Sequence, residues 1–205
     1  MAQADACIVD QHYWKSFLEG DRHAFSVLFK KYYNSLFQYA YRQSQDEEVA
    51  HECVQQLFFQ LWNSRATISE AHNVKAYLFK ALRSTLYKEK KYHQRFQQLE
   101  KINTREMCFS QEDLLLEEEA DELRKKKMSQ VLNGLPRRQR EVIYLKYYEE
   151  LSYQQIAQVL DMNYQSVVNL IHRAIQKLRE EDELRSLVLL SLLLSLALIS
   201  YLLII

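Results

Sequence analysis

The sequence specifies an all-α protein. Its 205 residues include two glycines and a single proline, Pro136, too few for the tight turns that strands need. Leu, Gln, Glu, Lys and Ala are abundant, and these residues lose little on entering a helix. Apolar residues also recur at three-and-four spacing over long stretches, the mark of amphipathic helices. With 48% hydrophobic residues the chain can bury real cores, and its length fits one ordinary domain or two small ones.

The elements follow in order. A short helix is expected around residues 13–18. "AFSVLFKKYYNSLFQYAYR" then places Phe25, Leu28, Phe29, Tyr32, Leu36 and Phe37 on one helical face, and such a face needs a partner. "EEVAHECVQQLFFQLWNSR" supplies one with Val49, Cys53, Val54, Leu57, Phe58, Leu61 and Trp62. The polar connection "NSRATISEAHN" leads into "VKAYLFKALRSTLYKEKKYHQRF", where Tyr77, Leu78, Ala81, Leu82 and Leu86 can be buried while the basic residues stay out. Ser69 or Asn73 is the expected N-cap of that helix, since either side chain can accept from a free helical N–H. These helices make a first domain over residues 10–96.

The net charge is zero, but the charges are segregated, and partners respond to local fields. Residues 75–105 form a basic stripe broken only by Glu89 and Glu100, and an acidic run through Glu117, Glu118 and Glu119 follows. Residues 97–124 therefore read as a solvated charged linker. Beyond it, "KKKMSQVLNGLPRRQREVIYLKYYEELS" is broken by Asn133, Gly134 and Pro136. Pro136 suits the opening of the next helix, where its missing N–H costs nothing. Four helices make a second small domain over residues 125–180.

The stretch "LSYQQIAQVLDMNYQSVVNLIHRAIQKLR" stops one helix and starts another at once. A helix-turn-helix needs a small residue at the crossing, a residue that tolerates left-handed backbone at the turn, and apolar contacts on both sides. Ala157 is the small residue and Asp161 the turn residue, with Asn163 as N-cap of the second helix; an Asp is tolerated in that backbone region. Ile156, Leu160, Met162, Val167 and either Leu170 or Ile171 supply the buried contacts. The second helix can then enter a DNA major groove. Tyr164, Gln165, Val168, Asn169, His172 and Arg173 face outward on it. Gln165 and Asn169 suit adenine edges, and Arg173 suits guanine or phosphate. Arg137, Arg138, Arg140 and Lys177 are candidates for phosphate contacts that fix position without reading sequence.

Cys7, Cys53 and Cys108 form no CxxC pair, which fits a reducing, cytoplasmic compartment. His51 and Cys53, two residues apart on a helix, face different directions and read as a surface His beside a buried Cys. No metal or cofactor is expected. Nor is catalysis, for there is no glycine-rich phosphate loop and no paired-carboxylate pocket. Residues 187–205, "LVLLSLLLSLALISYLLII", carry no charge. As a hydrophobic helix they would span about 28 Å, close to a bilayer's hydrocarbon thickness, so membrane association through this tail is expected, with the domains on the cytoplasmic side behind Arg179 and Arg185. Packing of the tail on a protein partner or on the chain's own apolar surface is the alternative.

With both halves read, the chain resembles a bacterial sigma factor of the sigma-70 family, in the compact two-domain extracytoplasmic-function (ECF) group. "AFSVLFKKYYNSLFQYAYR", "DEEVAHECVQQLFFQLW" and "VKAYLFKALRSTLYKEKK" look like the family's region 2, and "LPRRQREVIYLKYYEELSYQQIAQVLDMNYQSVVNLIHRAIQKLR" looks like region 4. The resemblance implies three contacts. The helix over residues 48–62 would dock on core RNA polymerase through Glu48, Glu52, Gln55, Gln56 and Phe59. The following loop and helix, with Tyr77, Lys80, Arg83, Lys88 and Lys91, would read and open the promoter's −10 element. The helix-turn-helix would read the −35 element through Tyr164, Gln165, Ser166, Val168, Asn169, His172 and Arg173. An anti-sigma factor is the further partner implied.

Opening a duplex means unstacking bases, which costs a few kcal/mol per step and is offset by a pocket or aromatic platform with basic groups on the phosphates. Residues 64–77 are where such a pocket would sit. The chain departs from the family pattern in three places. Gln55 and Gln56 stand where an acidic pair is usual, Arg83-Ser84 and then Tyr87 replace Arg-Asn and then Asp, and Val168 replaces a basic residue. Its promoter preference therefore does not transfer from the family. The competing reading is a helix-turn-helix regulator, membrane-tethered or not, that binds DNA without polymerase.

Overall fold

The computed structural model describes residues 2–96, 107–109 and 122–180, and every regular element among them is an α-helix. These are α1 (Ala2–Leu18), α2 (Arg22–Ser44), α3 (Glu47–Ser64), α4 (Val74–Phe96), α5 (Glu122–Asn133), α6 (Arg137–Tyr147) and α7 (Tyr153–Leu160), followed by α8 over residues 164–180. The tail 187–205 lies outside the described residues. Among the described residues no helix is long and apolar enough to cross a membrane.

Local chemistry places the helix ends. Gly20 turns the chain between α1 and α2 at φ 98, a backbone region that costs glycine no steric strain. Asp21 caps α2 by accepting from the His23 N–H at 2.7 Å. Asp46 caps α3 by accepting from the Val49 N–H, and Glu47 and Glu48 in its first turn complement the helix dipole. Of the two candidates for α4, Asn73 is the cap, its Oδ1 accepting from the Ala76 N–H at 2.7 Å. Pro136 sits at the N-cap of α6. α1 is longer than the 13–18 helix expected. Apolar periodicity is visible only from Tyr13 onward, but upstream Asp10 is buried and accepts from Lys31 at 2.5 Å and from the Tyr32 hydroxyl. Those bonds tie the earlier turns to α2.

In the first module α2 packs on α3, and α4 lies across both, with α1 against α2 and α4. The core there is largely aromatic. Phe25 stands edge-on to Phe58 at 5.9 Å, and Trp14 edge-on to Phe17 at 5.3 Å and Tyr77 at 5.0 Å. Offset and edge contacts of this kind add to the area term of burial. In the second module Leu132, Leu135, Val142, Leu145, Leu151, Ile156, Leu160, Val167, Ile171 and Ala174 are buried together.

Two findings differ from the solvated linker expected over 97–124. α5 already begins at Glu122, inside that span. Met107 and Phe109, within the same span, are buried at 0% and 3% exposure. The acidic character of the span hides the apolar island "MCF", and burying two large side chains outweighs the linker's average polarity. The modules also touch. α4 packs against α7, and Tyr39 of α2 lies between Phe79 of α4 and Tyr144 of α6, with ring centroids at 5.3 and 5.9 Å.

Candidate nucleic-acid interface

The helix-turn-helix is built by local rules. Ser152 and Gln155 form a reciprocal capping box at the start of α7, satisfying two N–H groups that no turn of helix reaches. α7 ends at Asp161, whose backbone is left-handed at φ 55 and ψ 50 and whose N–H bonds the Ala157 carbonyl. The Met162 N–H reaches the same carbonyl at 3.0 Å. Asn163 then caps α8 by accepting from the Ser166 N–H at 2.7 Å. Ile156, Leu160, Val167 and Ile171 are buried at the crossing, while Met162 and Leu170 are half-buried against it.

This crossing turns one face of α8 outward. Tyr164, Gln165, Asn169, His172 and Arg173 are exposed, and Ser166 and Val168 are half-buried. Gln165 Nε2 donates to Asn169 Oδ1 at 3.2 Å, so the two amides suited to adenine edges are already aligned one turn apart. Arg137 and Arg138 are exposed at the start of α6, and Lys177 donates to the Gly134 carbonyl at 2.9 Å. Arg140 is placed otherwise than expected. It is buried at 5% exposure, and its Nη1 donates to the Met107 carbonyl at 2.6 Å. That guanidinium faces the linker rather than a DNA backbone.

On the first module, Glu48, Glu52, Gln55, Gln56 and Phe59 are all exposed on α3. Phe59 is 67% exposed, a large apolar side chain amid polar neighbours, as interface anchors commonly are. On α4, Lys88 and Lys91 are exposed. Tyr77 packs edge-on to Trp14, and burial raises its hydroxyl pKa. Phe79 is fully buried. The loop before α4 and the end of α1 form a shallow cleft lined by Gln11, His12, Trp14, Lys15, Glu70 and His72, which Gln11 closes at one side by donating to the His72 carbonyl at 2.7 Å.

Three other cations of α4, Lys75, Lys80 and Arg83, are already engaged. Lys75 Nζ meets Glu149 Oε2 at 2.9 Å and the Glu149 carbonyl at 2.7 Å. Lys80 meets Asp161 at 3.5 Å. Arg83 Nε donates to Glu141 Oε1 at 3.0 Å, and the Tyr39 hydroxyl donates to the same oxygen at 2.6 Å. Burial disfavours the Arg83 charge, but Glu141, together with Tyr39 and Asp161, more than offsets this and the guanidinium pKa is raised. Burial and then the same carboxylate hold the Tyr39 phenol in its neutral form, well above its ordinary pKa.

Residues 28–96 match the family model for Sigma-70 region 2, and residues 125–178 match that for Sigma-70, region 4. Together they span more than half of the chain. The chain belongs to the sigma-70 family, in its ECF group. A curated relative, the RNA polymerase sigma-E factor of Streptomyces avermitilis, is 32% identical over 93 residues, which are 45% of this chain and 50% of that protein. The match thus spans about half the length of that relative. Among solved structures, CnrH in complex with the cytosolic domain of CnrY is 21% identical, covering 85% of this chain and 97% of that one at a TM-score of 0.58. The sigma factor RpoE in complex with the anti-sigma factor NepR from Bartonella quintana is 22% identical, covering 76% and 94% at 0.59. At these identities the two share the fold.

Within this sigma-70 fold, several residues that matter were not foreseen from sequence. Glu141 and Glu149 are buried at 4% and 5% exposure and are the partners of the α4 cations. Glu141 carries a readable signal, since it heads the apolar run "VIYL" of α6, and a carboxylate on a buried face demands a cation. His51 accepts or donates at Tyr33 Oη over 2.7 Å, while Cys53 is buried. Among the described residues no group of three or more His, Cys, Asp or Glu is arranged to hold a metal ion.

Proposed function

We propose that this chain is a promoter-specificity subunit that binds core RNA polymerase and directs initiation of DNA-templated transcription. α8 reads the −35 element through Gln165, Asn169, His172 and Arg173, while Tyr164, Ser166 and Val168 border that surface. Arg137, Arg138 and Lys177 hold the flanking phosphates. α4 and the loop before it serve the −10 element with Tyr77, Lys80, Arg83, Lys88 and Lys91. The α3 face with Glu48, Glu52, Gln55, Gln56 and Phe59 docks on polymerase, which performs the chemistry. The observation that carries this reading is the presence in one chain of an outward-turned α8 and a separate polar α3 face centred on an exposed phenylalanine. A regulator that only bound DNA would need the first of these alone.

An anti-sigma factor is the expected further partner, because CnrH and RpoE, which share the fold, are each held in a complex, the latter with an anti-sigma factor. The site of action is the cytoplasm, where polymerase and promoter meet. Residues 187–205, uncharged throughout, are read as a tether to the inner face of the membrane. Fractionation of cells expressing the full chain and one ending at residue 186 tests the tether, and recovery of the full chain wholly in the soluble fraction would end it. The central test is transcription in vitro with core polymerase, the full chain and a promoter pool of random sequence. Selective initiation is expected. Specific duplex binding with no polymerase association would instead establish the helix-turn-helix regulator.

A further inference from the structure

The carboxyl-terminal half of α4 presents two unlike faces. On one, Leu82 and Thr85 are buried and Leu86 is half-buried. On the other, Ser84, Tyr87, Lys88 and Lys91 are all exposed, and residues three and four apart on a helix are neighbours, so these four form one stripe. It runs along about 10 Å of the helix at 1.5 Å per residue. No carboxylate shares it, and Lys88 and Lys91 stand in no ion pair among the described residues.

Tyr87 is the unexpected member of the stripe. Its side chain is 70% exposed, and neither its ring nor its hydroxyl meets a partner among the described residues. Tyrosine is a poorer helix former than the lysines beside it, so neither propensity nor packing calls for it there. A ring bordered by unpaired cations is what an unpaired nucleic-acid strand needs, because any base can stack on the ring while the phosphates take the cations. A closed duplex offers no such base, since each is already stacked between its neighbours. Protein interfaces also use exposed tyrosine, but lysine is depleted from them, and here two lysines adjoin the ring.

We propose that Tyr87 is a stacking platform for one unpaired base of the opened −10 strand, with Lys88 and Lys91 on the phosphates to either side. The proposal rests on the sigma-factor reading above and deepens it. The contact requires that a base be present and does not read which base it is. It forms only once the duplex has opened, so it shifts the promoter toward the open state.

The test uses core polymerase with the full chain, on a promoter selected from the random pool and held open over its −10 region by mismatched strands. Bases of that region are removed one at a time, leaving abasic sugars, and affinity is read from the anisotropy of a labelled end. With the wild type, one position is expected where losing the base weakens binding on the order of tenfold, whereas exchanging it among the four bases changes little. Tyr87→Ala should lose the same factor on the intact strand and be indifferent to base removal at that position. Tyr87→Phe keeps the ring and should match the wild type. So should Tyr92→Ala, since Tyr92 lies about 140° round the helix from Tyr87. The platform is overturned if no position shows this coupling, if Tyr87→Phe behaves as Tyr87→Ala, or if Tyr92→Ala shows the same loss. It is overturned too if Tyr87→Ala prevents assembly with core polymerase, which would make Tyr87 a protein contact. Failure of the sigma-factor reading is a different result, in which the wild-type chain with core polymerase gives no selective initiation on any promoter.

Discussion

Cys53 shows how a single buried group couples to the whole fold. It sits at 1% exposure on the inner face of α3, and burial, assisted by the charges of Glu89 and Glu52, pushes its thiol up to about 12 from 9.0. A thiolate is the reactive form, so this cysteine is inert near neutrality. The raised value also has a sign for stability. Between about pH 9 and pH 12 the unfolded chain has released a proton that the native chain still holds, so the contribution is complete below pH 9 and is lost as pH rises, at up to roughly 1.4 kcal/mol per unit. A Cys53→Ala chain, weaker at pH 8 because it leaves a cavity, should therefore approach the wild type in melting temperature by pH 10. Parallel melting curves across that range would contradict the assignment.

At the scale of elements, the helix-turn-helix shows what can be read from sequence and why. Asp161 at the left-handed turn, Asn163 as cap and the buried set from Ile156 to Ile171 all follow from rules that act within a few residues. Replacing Ser152 by Ala removes the acceptor for the Gln155 N–H and half of the capping box, and should destabilise the second module by about 1 kcal/mol, read as a lower denaturant midpoint with α8 intact by circular dichroism. What the sequence did not disclose depends on distance along the chain. Tyr39 and Glu141 are 102 residues apart, and neither pattern points to the other. The same holds for Phe109 and Asn133, whose Oδ1 accepts from the Phe109 N–H at 2.8 Å. Arg140 was misplaced for the same reason, because a basic residue near a DNA-reading helix looks like a phosphate contact until the Met107 carbonyl is found beside it. The early turns of α1 escaped because Asp10, rather than an apolar stripe, fastens them.

For the whole molecule the arrangement is asymmetric, with α8 turned outward and three cations of α4, Lys75, Lys80 and Arg83, paired with carboxylates of the other module. The free chain should therefore engage duplex DNA through α8 and its flanking residues, and its salt dependence will count the phosphates it neutralises. Arg137, Arg138, Arg173 and Lys177 are the cations placed for this, which gives a slope of log affinity against log salt of roughly −3 to −4, at about −0.9 per phosphate. Replacing Arg137 by Ala should weaken binding about equally across sequences and reduce the slope by about 1, whereas replacing Gln165 by Ala should change which duplex is preferred and leave the slope alone. Lys88→Ala should do neither in the free chain but should lower promoter-dependent initiation once polymerase is present, because that exposed residue belongs to the helix assigned to the −10 strand rather than to the duplex-reading α8. A slope unaffected by Arg137→Ala but reduced by Lys88→Ala would reverse the assignment, making α4 the DNA-facing helix of the free chain.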